Sequence, residues 1–280
     1  MRIICYQNLL LALKIEFIIV KTDGALLYVS ERNGPNQRVQ VLQASSGTPV
    51  RTIGVGRFID ACGICLSADG KLLFVADSGH RCVLVMSTTD GSHASTIGGE
   101  DSGAARLQSP VAVCLVPDGR LLLVADRSSC QIQAYSTADG SPVRSLGSAH
   151  TLQAPSGVCV SPDGELCFVS DELNQCVQIF RLADGAHVRK YDRRVIPFGC
   201  PVALCTSPNG ELLYVADCNM CRVHVIRISD NELVYTLFLG IQQFQAHGCI
   251  CISQDGKHLF AADAYTQREL VLSVDPERLL

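Results

Sequence analysis

Short apolar runs alternate with turns along the whole chain, and the alternation repeats. The clearest unit is Leu72–Asp90, LLFVADSGHRCVLVMSTTD. It returns as LLLVADRSSCQIQAYSTAD ending at Asp139, LCFVSDELNQCVQIFRLAD ending at Asp184 and LLYVADCNMCRVHVIRISD ending at Asp230. In each copy an Asp closes the first apolar run (Asp77, Asp126, Asp171, Asp217), and the final Asp lies thirteen positions later. A turn pair precedes each run: Asp69-Gly70, Asp118-Gly119, Asp163-Gly164 and Asn209-Gly210. Fainter copies surround Asp23-Gly24 with Ser30, and Asp255-Gly256 with Asp263, so the pairs stand 46, 49, 45, 46 and 46 residues apart. A period of this length is the mark of a repeat architecture.

Each repeat reads as four strands. In the second, CGICLS, KLLFVAD, CVLVMST and HASTIG are separated by Asp-Gly turns and the loop SGHR. Asp-Gly between apolar runs signals a hairpin, because both residues tolerate the positive φ of tight turns. The first strand of each repeat is almost wholly apolar, whereas the last, as in PVRTIG and SPVRSLG, carries Arg, Ser and Thr. An apolar-to-polar gradient across four antiparallel strands is what radial packing around an axis requires. The expected fold is therefore all-β, a six-bladed β-propeller of four-stranded antiparallel blades in a single domain spanning residues 1–280. The repeats lie near 14–54, 58–98, 107–147, 152–192, 197–240 and 245–280. The last lacks an outer strand, and residues 2–7, RIICYQ, are placed to supply it.

Composition narrows the reading. Net charge is −4, so no global attraction to nucleic acid or anionic membrane is expected. The apolar start, MRIICYQNLLLALKIEFIIV, is interrupted by Lys14 and Glu16 and suits strands better than a spanning helix. Of 15 cysteines, Cys65, Cys114, Cys159, Cys205 and Cys251 occupy one repeated position, where a small apolar side chain packs in a core. That usage fits a reducing compartment, with the cytoplasm expected.

Segments such as Pro155-Ser156-Gly157-Val158 followed by Asp171-Glu172-Leu173-Asn174-Gln175-Cys176-Val177-Gln178-Ile179-Phe180 resemble the NHL-repeat family, as do Cys221–Ile226 and Cys130–Tyr135. The resemblance covers most of the chain. It departs from the family pattern in placing Ser30 where an Asp belongs, and Cys at 82 and 176 where Arg is usual. It implies protein-binding or RNA-binding platforms; related six-bladed folds include metal-dependent lactonases and an amidating lyase. With no Trp in the chain, a WD-repeat propeller is disfavoured.

Five equivalent Asp residues (Asp77, Asp126, Asp171, Asp217, Asp263) point to structure, because catalytic groups occupy different roles. A strand-end Asp can accept hydrogen bonds from loop amides. Lactonase-like metal binding would draw on Glu31, Asn174, Asn219 and Asp263, and a histidine site on His80, His150 and His247. The pairs Cys62/Cys65 and Cys218/Cys221 have zinc-like spacing but belong to distant repeats, with Cys218/Cys221 expected in an exposed loop. The basic run Arg189-Lys190-Tyr191-Asp192-Arg193-Arg194 could contact phosphate, with Tyr191 stacking on a base. No catalytic residue, metal or cofactor is expected. The expectation is a monomeric protein-binding or scaffolding module, with no membrane partner; RNA binding and metal-dependent hydrolysis are the alternatives. Recognition is expected at loop positions Arg57, Phe58, His80, Arg81, Arg127, Glu172, Asn174, Arg193, Phe198, Asn219 and Tyr265, because loops on a rigid scaffold carry binding.

Overall fold

The computed structural model describes residues 3–5, 15–20, 24–31, 37–238, 249–263 and 268–273. Strand β1 is Ile3–Cys5. Blade 1 comprises β2 (Ile15–Val20), β3 (Leu26–Glu31), β4 (Arg38–Gln43) and β5 (Pro49–Ile53). Blade 2 comprises β6 (Ala61–Leu66), β7 (Leu72–Asp77), β8 (Cys82–Ser87) and β9 (His93–Ile97). Blade 3 comprises β10 (Pro110–Leu115), β11 (Leu121–Asp126), β12 (Gln131–Ser136) and β13 (Pro142–Leu146). Blade 4 comprises β14 (Pro155–Val160), β15 (Leu166–Asp171), β16 (Cys176–Arg181) and β17 (His187–Tyr191). Blade 5 comprises β18 (Pro201–Thr206), β19 (Leu212–Asp217), β20 (Arg222–Arg227) and β21 (Leu233–Phe238). Strands β22 (Cys249–Ile252), β23 (His258–Asp263) and β24 (Arg268–Ser273) follow. The fold is an all-β propeller. Its five blades of four consecutive strands are antiparallel meanders, and the remaining strands form a four-stranded sheet in the order β1-β24-β23-β22.

The hydrophobic gradient sets this arrangement. Inner strands pack beside the inner strands of neighbouring blades, while outer strands bury one face only, as in the exposed Pro49, Val50 and Thr52 against buried Ile53. Each apolar cluster is shared between successive sheets, for example Phe74, Val83 and Ile97 of blade 2 with Val113, Val124 and Tyr135 of blade 3. Backbones approach closely at the axis, and glycine permits it. A Cβ on Gly63 would lie 2.5 Å from the Ala112 Cα, and one on Gly157 would lie 2.7 Å from the Val202 carbonyl oxygen. At the same register β2 carries Phe17, which packs against the cluster of blades 3 and 4 as well as those of its own side. The five repeated cysteines line an apolar axial cavity of about 190 Å³ together with Phe17. Burial pushes the thiols of Cys65, Cys114, Cys159 and Cys205 up, to about 11 at Cys114.

Outer strands hold neighbouring blades by one recurring side chain. The Arg of PVRT, PVRS and HVRK donates to carbonyls in the next blade's last turn: Arg51 to Thr89 at 2.9 Å, Arg144 to Leu182 at 2.7 Å and Arg189 to Ile228 at 3.4 Å. These strands are therefore staples as well as solvated edges.

The register corrects one sequence expectation. Glu31 lies opposite Ile15 just as Asp77 lies opposite Ala61 and Asp126 opposite Pro110. Glu31, seven positions after Gly24, is thus the counterpart of the strand-end Asp, and Ser30 is not. The Ser30 hydroxyl donates to the Cys62 carbonyl at 2.8 Å, as Ser170 donates to Val202 at 2.9 Å, so Ser30 matches the small residue before the Asp.

Candidate functional site

In an antiparallel meander the loop between second and third strands and the connection to the next blade emerge at the same end. The DG and NG turns, with the turns before the outer strands, occupy the opposite end. The loop-rich face is assembled around the strand-end carboxyls. Asp77 accepts from the N–H groups of Ile59 and Asp60, both at 3.0 Å, in the connection arriving from blade 1. It also accepts from the His80 N–H at 3.1 Å and contacts His80 Nδ1 at 2.8 Å, in the loop that follows it. Asp126 receives Gln108 at 2.9 Å and Ser109 at 2.7 Å. Asp171 receives Gln153, Ala154 and the Asn174 side chain at 2.6 Å. Asp217 receives Gly199, Cys200 and Met220.

All four carboxyl groups are fully buried. The expectation that the Asp serves its own loop is extended: most of its donors lie 17 or 18 residues earlier, in the approach to the blade's first strand. Burial pushes the Asp217 carboxyl up. His224, 3.8 Å away, and the amides of Gly199, Cys200 and Met220 outweigh that and hold it below the usual range. At Glu31 burial dominates instead and raises the carboxyl, despite Arg38 at 3.0 Å. The side chain of Asp263 lies outside the described residues.

Each four-residue loop ends on a non-glycine residue at positive φ: Arg81 at 56°, Cys130 at 55°, Gln175 at 52° and Cys221 at 49°. L-residues adopt this conformation at a cost of about 1–3 kcal/mol only when the surroundings impose it. The shared backbone path leaves the intervening side chains free to differ.

Among the predicted positions, Arg57, Arg81, Arg193, Asn174 and Asn219 are exposed on this face, with His80 beside Arg81. Arg81 borders a cleft of about 460 Å³ with His80, Thr96 and Arg106; Arg106 is paired to Glu100 at 3.0 Å. This cleft exists because the blade 2–3 connection is long and contains a short 3₁₀ turn, Glu100–Ala105. Arg127 and Glu172 pair at 2.6 Å, joining loops of blades 3 and 4. Arg193 donates to the Gln175 side-chain carbonyl.

Two predicted contacts are corrected. Phe58 is only 5% exposed and lies beneath Gly54, and Phe198 is 2% exposed and meets the His224 ring edge-on at 5.3 Å. Both connections turn their aromatic side chain into the blade interface, because apolar burial favours it. Tyr191 is likewise 1% exposed, its hydroxyl donating to Asn231 at 2.9 Å, so it cannot stack on a base. Tyr265 and His247 lie outside the described residues.

The cysteine expectation also changes. Cys218 is buried, and its thiol interacts with that of Cys200, which lies across the strand pair. Interaction between the two thiols holds Cys218 below the usual thiol range and pushes Cys200 up. Among the described residues, no group of three or more His, Cys, Asp or Glu side chains is disposed to hold a metal ion.

Sequence reasoning missed the apolar part of this face. Val55, Ile59, Leu173, Val195 and Met220 are exposed there. Only Leu173, an apolar residue among the polar ones of ELNQ, carried a sequence signal. Arg57, Arg81, Arg193 and Arg194 form no ion pair among the described residues.

No family model matches this chain. Nor does any curated protein. Among solved structures, Kuenenia stuttgartiensis hydrazine synthase superposes with a TM-score of 0.69 at 17% identity, covering 94% of this chain and 96% of that one. At that identity the likeness concerns the fold.

Asp126→Asn replaces one accepting oxygen with a donor facing a buried N–H. It should lower unfolding free energy by about 2–3 kcal/mol, and a change in the urea midpoint too small to measure would refute the clamp. Because the Asp217 carboxyl is depressed in the folded state, its contribution is present above the unfolded Asp value of about 3.9 and lost as pH falls through the folded value. Urea midpoints should therefore drop on acidification below about pH 4, and the drop should be shallower in Asp217→Asn. Parallel curves for the two proteins would count against the assignment.

Proposed function

We propose that this chain is a non-catalytic, NHL-like propeller that binds a protein partner through its loop-rich face. The observation carrying this reading is a coincidence on one face. Exposed Val55, Ile59, Leu173, Val195 and Met220 share it with Arg57, Arg81, Arg193 and Arg194, which form no ion pair among the described residues. The remaining exposed large apolar side chains, such as Val50, Val143 and Tyr235, sit on outer strands rather than on the turn face. Apolar residues grouped on a rigid face mark interaction surfaces. The strand-end carboxyls spend their acceptor capacity on loop amides, which favours scaffolding over chemistry. The repeated cysteines Cys65, Cys114, Cys159 and Cys205 pack as apolar groups whose thiols burial pushes up, in keeping with a reducing compartment such as the cytoplasm.

We further propose that β22, β23 and β24, with β1 as outer strand, act as a sixth blade that shuts the ring. The pairing of Ile3, Ile4 and Cys5 with Leu272, Val271 and Leu270 supports this, as does packing of β22 beside both β18 and β2. The Cys249 thiol also reaches the Ile18 carbonyl at 3.4 Å.

Peptides selected by display on the folded protein should, in amide-exchange mapping, protect residues 78–81, 127–130, 172–175, 192–200 and 218–221. Protection confined to residues 67–71 and 88–92 or to outer strands would reject the loop face. Deleting residues 1–8 should remove a short ladder worth about 2 kcal/mol and lower the Tm by roughly 4–8 °C. An unchanged Tm would sink the closure.

A further inference from the structure

The loop face is not uniform, and its blade 4–5 sector has the features of a built recognition surface. Three successive loops each expose one aliphatic side chain: Leu173 at 65%, Val195 at 47% and Met220 at 42%. They are mechanically joined. Arg193, on the blade 4–5 connection, donates to Gln175 in the loop of Leu173. A Cβ on Gly199, in the same connection, would lie 3.3 Å from Met220 Cγ, so Met220 rests directly on that segment. The connection is itself rigid: the Val195 and Ile196 N–H groups donate to the Asp192 carbonyl at 2.9 Å, and Ile196 and Phe198 anchor it in the core.

Charge on this sector is unbalanced. Glu172 is taken by Arg127 at 2.6 Å. Asp192 is taken by Lys190 at 3.4 Å and by the Arg194 N–H at 3.1 Å. The guanidinium groups of Arg193 and Arg194 are exposed and form no ion pair among the described residues, although the charge of Arg194 helps to hold the Asp192 carboxyl below its usual range. A guanidinium is matched by carboxylate or phosphate. The apolar side chains beside it decide between these. Single-stranded nucleic acid needs exposed aromatic faces for its bases, and the aromatics nearest here, Tyr191 and Phe198, are buried. Exposed Leu, Val and Met side chains offer apolar surface that apolar side chains of a peptide can cover instead.

Resting on the loop-face reading, we propose that the sector of Leu173, Arg193, Arg194, Val195 and Met220 binds an acidic peptide segment of a partner protein. The partner's carboxylates meet the two arginines and its bulky apolar side chains cover the aliphatic trio.

The test uses the full chain and fluorescein-labelled dodecapeptides in anisotropy titrations. One peptide alternates Asp and Glu with Leu and Phe, a second replaces the acids by Lys, a third replaces the apolar residues by Ser, and an oligo-uridine of equal length completes the set. The acidic apolar peptide should bind most tightly, and more weakly at high salt. The double variant Arg193→Glu/Arg194→Glu, and separately Leu173→Asp/Met220→Asp, should each weaken it at least about tenfold. Ile59→Asp should leave it unchanged, and all variants should melt like the parent. Wild-type affinity in both double variants overturns the sector assignment, and if Ile59→Asp then weakens binding, the loop-face reading survives. Tighter binding of oligo-uridine overturns the peptide class. Failure of every probe, while display-selected peptides still protect the loop face, overturns the acidic chemistry and leaves that reading standing.

Discussion

A buried carboxyl at the end of the second strand ties each of blades 2 to 5 together. It takes two consecutive backbone N–H groups from the segment arriving from the previous blade, and in blades 2, 4 and 5 a further donor from the loop that follows. Backbone donors in that position would otherwise be buried without partners, at about 1–3 kcal/mol each. One side chain thereby fixes where a blade begins, where its loop turns and how it stands against its predecessor. Repetition of the Asp follows from this geometry, which recurs from blade to blade. In blade 1 the longer Glu31 stands in the same register but pairs with Arg38.

The axis imposes the complementary constraint. Inner strands converge until backbone meets backbone, so Gly63 faces Ala112 and Gly157 faces Ala203. Residues two positions on line the cavity, and there the cysteines supply small apolar groups whose thiols burial keeps protonated. Phe17 breaks the series of small residues and fills space across the axis. At the periphery, the arginines of the outer strands tie each blade to the next turn. Clamp, axial contact and staple act at three radii, and together they leave the loop face rigid.

Rigidity fixes the positions of the side chains on that face. The last residue of each four-residue loop adopts the same positive φ, so the loops differ in side chain rather than in path. Variation from SGHR to RSSC, ELNQ and CNMC thus changes chemistry at fixed positions. Three of the exposed aliphatics, Leu173, Val195 and Met220, and two arginines, Arg193 and Arg194, lie where blade 4 meets blade 5, next to the cross-strand thiols Cys200 and Cys218.

Strand order, the four-strand repeat, the DG hairpins and the structural role of the strand-end Asp were legible in the chain, because period-two apolar patterning and turn chemistry are local. The location of the loop face followed from topology alone. Which side chains of that face meet solvent was not legible. Phe58 and Phe198 look like surface aromatics in sequence, but blade packing buries them. Leu173 and Met220 were not singled out in sequence and are exposed, because the buried Asp171 and Asp217 fix the paths of their loops. Arg189 and Tyr191 read as a basic, stacking-competent run until the neighbouring blade claims both. Local pattern determined what each segment becomes. Only the tertiary structure decided which side chains remain free, because that depends on contacts between blades far apart in sequence.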